Sequence, residues 1–185
     1  MAQIPVIEGG TGTGSWSTEE GAKLTEQTTP TFKVRQPLLS EIFTKAHKGK
    51  IKKDKVKILK EENCRALQQI CQWAYNPNIE SMLPEGKPPY IENEAPEGTE
   101  HMLLRTEGDK LWRFVSTNGK PADPNLQQTD RERIFIRLLE GLHKDEAELL
   151  INVKDKRLHQ VYKGVSSDVV KEAFNWDENF KVKGV

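Results

Sequence analysis

The sequence predicts a mainly α-helical fold with a small β-hairpin: a compact helical domain that carries an extended N-terminal arm and a Pro-rich middle segment. Three observations predict it. Apolar residues recur at helical spacing from residue 38 to residue 76 and again from residue 129. Between those stretches prolines recur from Pro77 to Pro124 and rule out long helices. Residues 1–31 are rich in Gly, Ser, Thr and Pro, with little periodicity.

The chain therefore divides into a flexible arm (1–31), a basic helical segment (32–76), a Pro-rich segment with a β-hairpin (77–128) and a C-terminal helical subdomain (129–185). The arm's apolar handles are Ile4, Val6, Ile7 and Trp16, which suit docking on another subunit or on the body of the protein. Leu38, Leu39, Ile42, Phe43 and Ala46 fall on one helix face, with Pro37 before it and Gly49 after it. Val56 and Leu59, then Cys64, Leu67, Ile70, Cys71 and Ala74, continue the pattern as a helical pair broken near Asn63, and Pro77 stops it. In "HMLLRTEGDKLWRFVST" two apolar runs meet at Gly108-Asp109, which reads as a tight hairpin turn. Thr129 and Glu132 read as a capping box opening a helix with Ile134, Phe135, Leu138, Leu139 and Leu142 on its apolar face. Asp145 reads as the cap of a second helix, with Ala147, Leu150 and Ile151 together, and a serine after Gly164 caps a third.

At 185 residues with 35% hydrophobic and 30% charged residues, the chain is the size of one globular domain with tails. No apolar run is long enough to cross a bilayer, and "MAQIPVIEGG" lacks the basic start and apolar stretch of a secretory signal, so a cytosolic protein is expected. Cys64 and Cys71, seven residues apart on a predicted helix, lie about 10.5 Å apart along its axis. That is too far for a disulfide, so both are expected as reduced thiols on one buried stripe. The net charge of zero conceals an asymmetry: residues 33–60 carry +8 and residues 61–104 carry −6.

Several stretches invite a chemical reading. "GGTGTGSW" spaces Gly9 and Gly14 as a phosphate loop would, but Ser15 stands where the lysine belongs and Pro5 weakens the strand before it, so it reads as a linker. His47, His101, His143 and His159 are scattered without ligand spacing, and neither a metal nor a cofactor is expected. "EGLHKDEAELL" gathers Glu140, His143, Asp145, Glu146 and Glu148. However, Asp145 and Glu146 suit a helix start and His143 a helix C-terminus, and no nucleophile accompanies them, so no catalytic residue is assigned. Trp73, Tyr75, Trp112, Phe114, Phe135 and Phe174 read as core or rim packing, whereas Trp16 and Trp176, near the ends, read as exposed partner contacts.

The sharpest candidate is the basic run "KAHKGKIKKDKVKILK", with Lys45, Lys48, Lys50, Lys52, Lys53, Lys55, Lys57 and Lys60. Such a cluster attracts phosphate backbones. It contains no aromatics to stack bases and no arginine for bidentate base contacts, so any nucleic-acid binding is expected to be sequence-independent and salt-sensitive. The competing reading is a solvated helix face that balances the acidic stretch 80–100.

The strings "PLLSEIFTKAHKGKIKKDKVKILKEENCRALQQI", "YNPNIESMLPEGKPPY", "DRERIFIRLLEGLHKDEAELLINVKDKRL" and "YKGVSSDVVKEAF" resemble an uncharacterised protein family of large tailed bacteriophages of the T4-like, marine and cyanophage type. The resemblance covers about residues 37–175, leaves out the arm, and brings no catalytic residues. It implies a phage setting in the host cytoplasm. The function expected is a non-enzymatic accessory protein that binds a phage or host macromolecular machine, one handling DNA replication or transcription, through the lysine segment. The alternative is a structural virion component that assembles through its arm. Partners are a protein assembly, with or without nucleic acid, and no membrane.

Overall fold

A computed structural model of the chain describes residues 36–94, 96 and 101–184, all within the unit Arg35–Val185. The arm contacts Ile4, Val6, Ile7 and Trp16 lie outside the described residues. The unit is mainly helical, with eight α-helices and a three-stranded antiparallel sheet among the described residues.

Helix α1 (Leu39–Lys48) buries Leu39, Ile42, Phe43 and Ala46, the face its spacing predicts. Glu41 Oε2 accepts from the Leu38 amide at 2.7 Å, and Lys45, His47 and Lys48 place positive charge at the helix C-terminus, where the dipole favours it. Gly49 ends the helix. Helix α2 (Lys52–Glu61) buries Val56 and Leu59 and lies against α1 and α8, and α3 (Arg65–Tyr75) follows after a break at Glu62 to Cys64. Cys64 departs from the expected stripe. It is the N-cap of α3, its Sγ accepting from the Leu67 amide at 3.4 Å, while Cys71 is fully buried; both thiols are free.

The hairpin is present, but not at Gly108-Asp109. Leu104–Glu107 (α4) and a 3-10 helix, Gly108–Phe114, occupy the stretch, because Leu104, Gly108 and Leu111 fall at helical spacing and pack inward. Gly108 is required for close approach rather than for a turn: a Cβ there would stand 2.3 Å from Ala66 Cβ. The sheet consists of β1 (Ile79–Ser81), β2 (Val115–Thr117) and β3 (Lys120–Pro121), with Ile79 opposite Thr117 and Ser116 opposite Pro121. The β2–β3 turn is Asn118-Gly119, with φ of 51° and 74°, the left-handed pair that a two-residue hairpin demands.

Helix α5 (Gln128–Gly141) starts one residue ahead of the predicted box. Gln127 is its N-cap, without a side-chain bond, and Glu132 accepts instead from Gln128 Nε2 at 2.6 Å. Helix α6 (Lys144–Lys154) is capped by His143, whose Nδ1 accepts from the Asp145 amide at 3.2 Å, so His143 opens this helix and Asp145 lies in its first turn. After α7 (Leu158–Val161), Ser166 stands at the N-cap of α8 (Ser167–Phe174).

The helices and the sheet close over one apolar cluster running from Leu39 to Phe180. At its centre Trp73 stacks on Phe114 with ring centroids 6.3 Å apart, and Phe114 meets Phe135 edge-on at 5.2 Å. Complete burial of an aromatic such as Phe114 contributes about 1.5–3 kcal/mol. Trp176 is buried too, contrary to its reading as an exposed contact. The chain after α8 folds back, pairing Trp176 with Val182 as an isolated bridge, and the indole lies between Phe174 and Phe180 at 4.9 and 5.9 Å.

Candidate functional site

The eight lysines meet at the corner between α1 and α2, and they separate into two kinds. Lys45, Lys48, Lys50, Lys52, Lys53, Lys57 and Lys60 face solvent. Lys55 does not: it is 9% exposed, and its Nζ donates to the carbonyls of His47 and Lys163 at 3.3 and 3.4 Å. His47 Nδ1 donates to the same Lys163 carbonyl at 2.9 Å. Lys55 and His47 thus pin the corner to the loop before α8, and Lys55 leaves the set of binding candidates for the scaffold. It fits because Gly164, at φ +85°, lies against its ammonium, where a Cβ would stand 2.5 Å from Nζ.

Lys53, Lys57 and Lys60 stand at i, i+4 and i+7 of α2, one exposed stripe flanking the buried face of Val56 and Leu59. Lys57 lies 3.7 Å from Glu61, Lys45 3.9 Å from Glu62, and Lys52 2.8 Å from Glu172. The Glu172 carboxylate raises the Lys52 ammonium above its ordinary range, and Lys52 in turn holds Glu172 below the usual carboxylate range. Exposed pairs of this kind hold little free energy and are screened by salt. Among the described residues Lys48, Lys50, Lys53 and Lys60 form no ion pair. The acids of the stretch 80–94 do not supply partners for the corner either. Glu92 instead receives Lys87 at 2.7 Å and Lys144 at 3.2 Å, and those two lysines hold its carboxyl below the usual range. Within the described residues the two blocks meet only at their junction, through Glu61 and Glu62.

The acid and histidine cluster of residues 140–148 is dispersed. Glu140 Oε1 accepts from the Ile91 amide at 3.4 Å, and His143 is occupied as a cap. Asp145 and Glu148 face out, lining a cleft of about 630 Å³ between α1, α6 and α7 that also exposes Glu41, Lys45 and Lys48. Glu146 turns inward and is 1% exposed; its Oε1 accepts from the Leu39 amide and its Oε2 from the Leu104 amide, both at 3.0 Å. One carboxylate thereby caps the first residues of α1 and α4, whereas the sequence placed Glu146 at the start of its own helix.

Two further buried charges act in the same way. Arg131, 2% exposed, donates to the carbonyls of Arg113, Asp123 and Leu126 and to Gln128 Oε1 at 2.8–3.1 Å, holding the hairpin against α5. Lys154 donates to the Pro84 carbonyl at 2.6 Å and pairs with Asp155, which accepts from the Gly86 amide, so the Pro-rich strap is tied to the end of α6. The sequence reading missed both roles. The available signal was position: Arg131, Glu146 and Lys154 all lie on apolar stripes, such as Arg131, Phe135 and Leu138 at i, i+4 and i+7.

Among the described residues no group of three His, Cys, Asp or Glu side chains gathers at metal-binding distance, and no helix is long and apolar enough to cross a membrane. Residues 42–160, from within α1 to within α7, match the model of a family of unknown function (DUF6433). No curated protein and no solved structure matches the chain.

Proposed function

The chain belongs to the family of unknown function DUF6433, and from that premise we propose that it is a non-enzymatic accessory protein that binds the phosphate backbone of nucleic acid in a phage-directed machine. The observation that carries this reading is the α1–α2 corner. Lys48, Lys50, Lys53, Lys57 and Lys60 stand exposed there while Lys55 and His47 fix the corner from beneath. Lysines held on two packed helices present ammonium groups to a polyanion with little ordering cost at the backbone. The resemblance of residues 37–175 to proteins of T4-like, marine and cyanophage-type bacteriophages supports the setting.

The chemistry sets the manner of binding. Lysines are compact point charges without the planar fork that reads base edges, so the corner holds phosphates in any sequence. Lys48, Lys50, Lys53 and Lys60, which form no ion pair among the described residues, leave positive charge for an external partner, and the pairs of Lys45, Lys52 and Lys57 are exposed enough to yield to one. The test is a triple variant, Lys53→Gln/Lys57→Gln/Lys60→Gln, which loses duplex DNA binding while Lys120→Gln/Arg133→Gln/Arg137→Gln retains it. Equal loss in both sets, or none in the first, rejects the corner as the site.

A further inference from the structure

A second surface combines the features the lysine corner lacks. The outer side of α3 borders two clefts that share Gln69 and Gln72. The smaller, about 170 Å³, lies in the seam between α3, the 3-10 helix and the sheet, walled by Trp73, Trp112, Leu111, Ile79 and Val115. The larger, about 580 Å³, continues it past Arg65, Trp176 and Lys181. Trp112 is 43% exposed although large and apolar, and the Arg113 guanidinium lies 5.7 Å from its ring centroid. Trp73 is 2% exposed, and its indole N–H is buried without an acceptor, an unusual condition for a group that ordinarily finds a partner when buried. Among the described residues Arg65 and Lys181 are the charged residues lining the two clefts, and no acid lines either. Arg65 does pair with Asp109 at 2.9 Å, but both side chains are more than half exposed, so the pair yields readily to a competing anion.

We propose that this seam is a contact for single-stranded nucleic acid. One unpaired base stacks against Trp112 in the smaller cleft, and its flanking phosphates lie against Arg65 and Lys181 in the larger one. The inference deepens the proposed function and rests on nucleic acid as the ligand class. The charge of the linings calls for an anion, and the aromatic wall calls for a flat ring; a nucleotide supplies both. Gln69 and Thr117, which also line the smaller cleft, supply donors and acceptors for a base edge. Stacking tolerates any base, so this contact, like the lysine corner, is blind to sequence.

The test uses the full chain with fluorescein-labelled oligo-dT and, separately, a labelled DNA duplex, read by anisotropy, with thermal melts confirming that each variant folds. Trp112→Ala is expected to weaken oligo-dT binding at least about fivefold, while Trp112→Tyr retains most of it and duplex binding stays within about twofold. Arg65→Gln/Lys181→Gln is expected to weaken oligo-dT as well. Wild-type affinity in Trp112→Ala, or no oligo-dT binding by the wild type, overturns the proposal. So does displacement of oligo-dT by polyglutamate as effective as by unlabelled oligo-dT, since that marks an acidic peptide groove. Failure of the lysine corner shows differently, as duplex binding indifferent to Lys53, Lys57 and Lys60 while oligo-dT binding still depends on Trp112.

Discussion

Glu146→Ala is the substitution that separates a structural from a chemical reading of the cluster of residues 140–148. Both amides that Glu146 satisfies belong to fully buried residues, Leu39 and Leu104, at 3.0 Å each. Removing the carboxylate leaves two buried donors unpaired, at about 1–3 kcal/mol apiece, so about 4 kcal/mol in the middle of the range. With a urea m-value of about 2 kcal/mol/M, the unfolding midpoint falls by about 2 M. Glu146→Gln keeps one acceptor oxygen and turns an NH₂ toward the other amide, so it falls between wild type and alanine. The assay is urea denaturation followed by circular dichroism at the helix band. A loss below about 0.5 kcal/mol, or a gain in stability, refutes the capping role; a gain is what removal of a functional group held against stability produces.

Two further outcomes follow from the structure. Native protein should react with a thiol reagent at Cys64 alone, because Cys71 is wholly buried and burial pushes its thiol above the ordinary range, with the second thiol appearing in urea; simultaneous labelling contradicts the packing of α3. Acid should loosen the strap of residues 84–94: Lys87 and Lys144 hold the Glu92 carboxyl below its unfolded value of about 4.3, so its contribution is present above that pH and is lost as pH falls through the lower folded value. NMR shifts of Tyr90 and Ile91 that change in this range, and change alike in Glu92→Gln at neutral pH, check it; a strap that holds until global unfolding contradicts it.

Helices α1, α2, α3, α5, α6 and α8 were legible because an apolar face recurs every three or four residues along each, and that signal is local. The caps were less so. Glu146 meets Leu39 across 107 residues of chain, and no local pattern announces which carboxylate reaches which helix start. The misplaced hairpin has a different cause. Gly108-Asp109 has the composition of a turn, but Gly108 is there to let the 3-10 helix touch Ala66, whereas the true turn, Asn118-Gly119, stood in the sequence as the stronger hairpin signal. Trp176 looked exposed from its place near the end of the chain, and the return of residues 177–182 covers it. The lysine run was legible as charge, and the loss of Lys55 to the scaffold was foreshadowed by its place beside Val56 and Leu59 on the buried side of α2.

The central claim, that the exposed lysines of the α1–α2 corner hold phosphates, is tested most directly by duplex DNA affinity measured across a salt series. Each phosphate contact contributes about −0.9 to the slope of log K against log salt. The account predicts a steep linear slope for the wild type, made shallower by about 2 to 3 when Lys53, Lys57 and Lys60 become glutamine. A slope that those three substitutions leave unchanged contradicts it.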